Sequence, residues 1–313
     1  MKRKIFFAAV LSALVPALHA VPASSFRIRD PFILVEGGAY YLYEAQPWSG
    51  GPGVWVRTSK DLESWSERSL AMELGEKIPA TAVWAPEVHK YDGEYWMFVT
   101  LTFKRGTYDV APDSQGSAGR VSPRGTWVFR SRKPEGPFLP VADGPVPPRE
   151  WMTLDGTLVV DGGAPYLVFC HEWIQTGDGE MCAARLSPGF ASLAEKPKTM
   201  FKASKALPGA SVVTDGPFFR RSEKSPALHM IWSNMVNDHG YCVLVRTSKS
   251  GKLEGPWTAD RILYGENGGH GMIFKALDGR LMLALHQPNS GTAERMKLFE
   301  LEDDGETLKV AGK

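Results

Sequence analysis

Apolar residues occur along this chain in short bursts that return at a long, nearly constant interval. One burst opens at Arg29-Asp30-Pro31-Phe32-Ile33, and related starts follow at Ala85-Pro86-Glu87-Val88, Asp155-Gly156-Thr157-Leu158, Asp215-Gly216-Pro217-Phe218 and His270-Gly271-Met272-Ile273. The steps between them are 55, 70, 60 and 55 residues. Each start runs into a polar turn such as Glu36-Gly37-Gly38, Tyr91-Asp92-Gly93, Asp161-Gly162-Gly163 or Leu277-Asp278-Gly279. A second apolar burst then follows, for example Tyr40-Tyr41-Leu42-Tyr43, Tyr95-Trp96-Met97-Phe98 or Leu228-His229-Met230-Ile231-Trp232. Short apolar segments flanking Gly-containing turns read as antiparallel hairpins, and their recurrence at a fixed period reads as a repeat architecture. Five units, each a small antiparallel sheet, predict an all-β five-bladed β-propeller.

Third strands are legible at residues 54–59, 127–131 and 243–248. Two of them lead into Glu-Gly-Pro plus an aromatic, at residues 135–138 and 254–257. Their place after a third strand argues for turns at a blade edge, where Gly and Pro punctuate the chain. Residues 104–125, rich in Gly, Ser, Pro and Asp, form an insertion between the second and third strands of blade two, on the face where the first strands begin. Either it shapes a pocket there or it is a functionless loop. The ring can close through the segment near residues 24–28 or through the tail near Leu308.

The first 20 residues stand outside this pattern. Lys2, Arg3 and Lys4 precede an apolar run over residues 5–18, with small residues at Ala20 and Ala23. That run is too short to span a bilayer and fits an export signal. The expectation is an exported protein, periplasmic or secreted, with one domain over residues 21–313 and no membrane span. It is expected to be a monomer. Charge excludes one class of partner: 36 basic residues balance 35 acidic ones without a basic stripe, so nucleic acid is not expected. Cys170, Cys182 and Cys242 are too few for a disulfide framework. One Cys170–Cys182 bridge is conceivable, and buried free thiols are the favoured reading.

In a propeller the first strand of every blade lines the central axis, so the starts converge at one end of the channel. Asp30, Asp155 and Asp215 occupy the same repeat register by sequence, and Glu87 and His270 come from the other two starts. An Asp before Gly is an ordinary turn residue when it occurs once; three at one register point to a site. Crowded carboxylates push one another's pKa values apart, and one protonated plus one ionised carboxyl is what glycosidic hydrolysis needs. Trp48, Trp84, Trp173 and Trp232 lie near strand ends on that face and could offer platforms for sugar rings.

Together, Arg29-Asp30-Pro31, Trp84-Ala85-Pro86-Glu87, Leu154-Asp155-Gly156, Thr214-Asp215-Gly216-Pro217 and Gly268-Gly269-His270-Gly271 resemble family 43 of the glycoside hydrolases. The resemblance implies inverting hydrolysis of a carbohydrate substrate, typically an α-L-arabinofuranoside or a β-D-xyloside. It implies Asp30 as general base, Asp155 as the residue that orients the acid and raises its pKa, and the blade-four residue as general acid. It also implies that no cofactor is required, with His270 near the axis where a structural calcium can be held through water. This sequence departs from the family pattern at the acid, where Asp215 stands in place of a glutamate. Glu172, in Cys170-His171-Glu172-Trp173, is the rival acid; its alternatives are a substrate-binding role or a solvated loop residue. Glu87, Trp84, Glu172, Trp173 and His270 are the expected substrate contacts. The function expected is an exo-acting α-L-arabinofuranosidase. The alternatives are a related propeller glycosidase for β-xylosides, β-galactofuranosides or algal galactans, and a carbohydrate-binding propeller that has lost hydrolysis.

Overall fold

The structure, a computed structural model, describes residues 21–45, 53–114 and 122–312. The export signal expected in residues 1–20, Trp48 and part of the blade-two insertion lie outside the described residues. Five antiparallel sheets follow one another along the chain, each with its strands in sequential order outward except in blade one, where both Ser64–Trp65 and Ser69–Glu73 pair with Gly53–Ser59 and Val21–Pro22 joins the outer edge. Their inner strands are Phe32–Glu36, Ala80–Tyr91, Thr153–Asp161, Asp215–Arg221 and Gly269–Lys275. These five contact one another in a closed cycle, which is the five-bladed propeller anticipated from the repeat. Among the described residues no helix is long and apolar enough to cross a membrane.

The second strands are apolar on both faces because each sheet is sandwiched between two neighbours. In blade two, Tyr95 to Phe103 are buried without interruption, and in blade four the strand Leu228–Val236 is buried at every position but Met235. One apolar core joins blades four, five, one and two, and two smaller cores fill the spaces around blade three. Cys170 pairs across the sheet with Met181, while Cys182 pairs with Phe169. Since successive side chains alternate faces, the two thiols point into different cores. All three cysteines are buried and free. The Glu-Gly-Pro segments are turns at the rim opposite the strand starts. Gly136 and Gly255 both take positive φ, and a Cβ on Gly136 would lie 2.3 Å from the carbonyl oxygen of Ala71 in blade one.

Ring closure falls to the tail in part. Leu308–Val310 completes blade five, whereas Val21–Pro22 pairs with Ser64–Trp65 at the edge of blade one. Among the described residues no strand is shared between blades one and five, so side chains fasten the seam. Glu294 accepts from Arg27 Nη2 at 2.7 Å through Oε2 and from Arg29 Nη1 at 2.6 Å through Oε1. Arg295 Nε donates to the carbonyl of Ser24, and the amide of Leu277 donates to Tyr40 Oη.

Glu294 is 1% exposed, so removing it strands two guanidinium groups at the seam. Breaking a buried ion pair from one side costs about 3–5 kcal/mol. For a domain of this size Glu294→Ala is therefore expected to lower Tm by roughly 5–8 °C in scanning calorimetry, and Arg27→Ala, whose side chain is one-third exposed, by less. A fall of under about 2 °C for Glu294→Ala would mean that the inner-strand contacts alone close the ring.

Candidate active site

At the head of every inner strand one residue takes a left-handed conformation: Asp30 at φ +50°, Ala85 at +44°, Asp155 at +52°, Gly216 at +48° and His270 at +51°. In blades two to five this residue opens a bulge. Trp84 pairs with Thr100 and the next pair is Glu87 with Phe98; Leu154 pairs with Cys170 and the next is Thr157 with Val168. The same step occurs between Asp215–Ser233 and Phe218–Ile231, and between Gly269–His286 and Met272–Ala284. A non-glycine residue in this region is strained, and a strained position kept in four blades out of five marks a constraint that re-aims side chains toward the axis.

This geometry corrects the register read from sequence. The left-handed residue of blade four is Gly216, not Asp215, so the true steps are 55, 70, 61 and 54 residues. Asp215 stands one position earlier, in the register of Trp84, Leu154 and Gly269. The reason is steric: a Cβ on Gly216 would lie 2.9 Å from the His270 ring, so the slot is filled by glycine and the carboxylate comes from the residue before it. Asp215 nevertheless lines the same cavity as Asp30 and Asp155, a space of about 280 Å³ at the mouth of the axis.

The three carboxylates do not share one protonation state. Burial pushes the Asp30 carboxyl up, but His270, Arg29 and His286 outweigh it and hold the group well below the usual range. His286 Nδ1 lies 3.2 Å and His270 Nδ1 3.3 Å from Asp30 Oδ1, and Arg29 Nε lies 3.6 Å from Oδ2. Asp155 is pushed up to about 7 by burial; His270 pulls it down, and Asp215 and Asp30 push it further up. Its Oδ2 accepts from the amide of Gly216 at 2.9 Å, which ties blade three to blade four. Asp215 is also raised by burial, against the pull of His270 and a hydrogen bond from Tyr241. Burial disfavours the His270 imidazolium, yet Asp30, Asp155 and Asp215 together raise its pKa. The result is one carboxylate held ionised beside carboxyls that hold protons to higher pH.

Glu172 is not a solvated loop residue. It is 6% exposed and lines the cavity; its Oε1 accepts from Arg124 Nη1 at 3.2 Å, while its buried Oε2 has no hydrogen-bond partner. Burial pushes it up to about 7 against the pull of Arg124. The residue after it, Trp173, opens a four-residue helix and is 41% exposed. The described part of the insertion packs on this helix, with the amide of Ser114 donating to the carbonyl of Ile174. Trp84 also lines the cavity, its Nε1 bonded to Thr102 Oγ1 at 3.0 Å. One expected contact, Glu87, and one candidate platform, Trp232, lie elsewhere. Glu87 is off the cavity lining, 2.9 Å from His89 Nε2 and deeper along the axis, where the His89 ring packs on Phe32 and Phe218. Trp232 is fully buried and bonded to Asp260, an ordinary packing residue.

Arg124, Met235, Tyr241 and Asn289 line the cavity as well, and none stands out in the sequence. They enter from second and third strands or loops far from the repeat starts. Only Arg29, inside the first motif, carried a signal. A calcium here would be held through water, as the resemblance implies; among the described residues no cluster of three or more His, Cys, Asp or Glu side chains is arranged to hold a metal directly. His270 instead turns Nδ1 to Asp30 and Asp155, at 3.3 and 3.8 Å.

The protonation pattern bears on stability. The folded-state pKa of Glu172 is raised, so the folded protein binds a proton that the unfolded chain has released. Its contribution therefore falls as pH rises from its ordinary value of 4.5 through about 7, and the cost of burying the charge is complete above that. Glu172→Gln cannot ionise. The Tm of this variant minus that of the wild type is expected to grow between pH 5 and pH 8; a difference independent of pH would show that Glu172 is ionised throughout.

Similarity to known proteins agrees with this geometry. The profile of Glycosyl hydrolases family 43 matches residues 20–306. The structure of an endo-arabinase from Bacteroides thetaiotaomicron VPI-5482 aligns with a TM-score of 0.78 at 35% identity, over 92% of this chain and 99% of that one. A thermostable family-43 glycoside hydrolase aligns at 0.70 and 22% identity, over 91% and 93% of the two chains. An alpha-L-arabinofuranosidase from Lactobacillus brevis aligns at 0.67 and 18%, over 92% and 97%, a likeness of fold. No curated protein matches the sequence. With the family profile covering nearly the whole chain and the propeller in place, this protein belongs to glycoside hydrolase family 43 and is a glycosidase.

Proposed function

We propose that this glycosidase cleaves α-L-arabinofuranosyl bonds with inversion, releasing single sugars from the ends of arabinan-type chains. The observation that carries the reaction type is the division of protons in one cavity: Asp30 held ionised, and Asp155 and Asp215 raised. Inversion requires a base and an acid on opposite sides of the sugar. Asp30 takes a proton from water as the water oxygen bonds to the anomeric carbon. The bond from that carbon to the leaving oxygen breaks, and Asp215 gives its proton to that oxygen. Asp155, tied to the amide of Gly216, keeps the acid in place.

The walls of the cavity give this reaction a direction. On the side of blades one and five, Arg29 and Asn289 form a polar wall linked to Glu294. On the side of blades three and four, Trp173 and Met235 are exposed apolar groups, 41% and 39%. A sugar held at the polar wall lies near Asp30, and the departing chain rests on the apolar platform near Asp215. Four lining carboxyls face two guanidinium groups and His270, which favours a neutral sugar over a uronate or a sulfated one. The choice of arabinose rests on the 35% likeness to the endo-arabinase. That same likeness supports a second reading, internal cleavage of the chain. The leader-like residues 1–20 support the reading that the activity lies outside the cytoplasm.

A panel of nitrophenyl glycosides should give turnover of the α-L-arabinofuranoside, and linear arabinan should release arabinose from the first minutes. Early oligosaccharides would instead establish internal cleavage, and turnover of only the β-xyloside or β-galactofuranoside would overturn the sugar assignment. Asp30→Asn should lower kcat at least about 10²-fold, the scale of general base catalysis; a loss under about tenfold would remove Asp30 from that role. The acid is identified by leaving-group dependence. Asp215→Ala should cripple cleavage of arabinan yet largely spare an activated aryl glycoside, whose phenolate departs unprotonated. Glu172→Ala should slow both alike. The reverse pattern would make Glu172 the acid.

A further inference from the structure

Tyr241 begins 26 residues after Asp215 and stands at the opening of the third strand of blade four, Gly240–Ser248. Its hydroxyl donates to Asp215 Oδ2 at 3.0 Å. The phenol is 2% exposed and held on two sides. It stacks on His286, with ring centroids 5.6 Å apart and planes at 24°, and His286 in turn faces Asp30. On the other side Gly269 leaves it room, since a Cβ there would come within 2.4 Å of two ring carbons. A phenol wedged in this way cannot swing out of reach of Asp215. Burial also pushes its own pKa well above the ordinary value, so it remains a hydrogen-bond donor at every pH at which the enzyme would work.

We propose that Tyr241 is a positioning residue for the acid: its hydroxyl occupies Asp215 Oδ2, leaves the transferable proton to Oδ1, and sets how far the short aspartate side chain reaches. The inference rests on the reading of Asp215 as the general acid. Two consequences of the contact make it more than packing. A donor bonded to a carboxylate favours the ionised form, so Tyr241 opposes the effect of burial and keeps Asp215 able to part with its proton. A hydroxyl 3.0 Å from Oδ2 also fills the space into which a side chain longer by one methylene would extend. The contact thus accounts for an aspartate where the family carries a glutamate, since site and side chain are matched in length.

The test uses Tyr241→Phe, which keeps the ring, its stack on His286 and its fit against Gly269 while deleting the donor. Carbon-detected titration of the Asp215 carboxyl should move to higher pH in this variant, and the alkaline limb of kcat/KM should move the same way. On arabinan kcat should fall about tenfold or more with KM within about twofold, and on the activated aryl glycoside the fall should be much smaller. Asp215→Glu alone should be impaired, and adding Tyr241→Phe should recover at least about threefold, a non-additive pair of the kind that touching residues show. An unchanged Asp215 titration and pH profile in Tyr241→Phe, or equal losses on both substrates with strict additivity in the double variant, would overturn the proposal. If Asp215→Ala lacks the selective loss, the acid assignment itself falls; the titration then decides the contact separately, a shift upholding Tyr241 as the residue that positions Asp215 and no shift overturning it.

Discussion

Everything at the mouth of this propeller depends on closing a ring that no shared strand closes among the described residues. Blade one supplies Asp30, and blade five supplies His270 and His286, more than 200 residues later in the chain. Their meeting is secured by the buried carboxylate of Glu294, which grips Arg27 and Arg29 together. Arg29 is the pivot: one side chain serves the seam through Glu294 and the site through its contact with Asp30. A residue whose charge is fixed by the seam also holds the neighbouring carboxylate ionised. Fold closure and the ionisation of Asp30 are therefore linked through one side chain.

The left-handed residue at each strand head does the rest of the positioning. Without the bulge, side chains along an inner strand would alternate between the axis and the blade core, and no two carboxyls from neighbouring blades would face the same volume. With it, Asp155 reaches the amide of Gly216 and His270 reaches both Asp30 and Asp155. Crowding then sorts the protons. The carboxyl with cations around it is held ionised, while those buried among other carboxylates hold their protons to higher pH. Ala85 shows that the bend belongs to the fold and the chemistry to the side chain, since it takes the same conformation with nothing to offer.

Legibility from sequence follows the same division. The blades could be read because strand, turn and strand repeat in residue types that any hairpin needs, and Asp30, Asp155 and His270 because they sit on the repeat. The slip at Asp215 has a local cause: Asp-Gly occurs at 155–156 and at 215–216, and only φ tells that the bend falls on the aspartate in one and on the glycine in the other. Glu172 could be proposed from its face but not its burial, which depends on Arg124 and on the helix that follows it. Tyr241 and His286 left no trace, because their partners lie on other strands or other blades. Glu87 was misplaced by counting it with the starts, when two residues further along the strand lead past the cavity to His89.

In the proposed reading the acid is Asp215, where the resemblance implies a glutamate, and in sequence that change looks like a loss. Around it, however, the surroundings of a working acid are intact. A site released from catalysis has no reason to keep a carboxylate ionised at Asp30 against full burial, nor to hold Asp155 near neutrality at a cost in stability. Nor does it need a tyrosine lodged against a glycine to meet the shorter side chain. Burying this many titratable groups is expensive, and decay would relieve it by replacing any one of them with an apolar residue. The shorter acid and its donor are better understood as a matched pair than as a scar. In the proposed reading the pair sets where the proton-bearing oxygen stands in the cavity that Trp173 and Met235 also line.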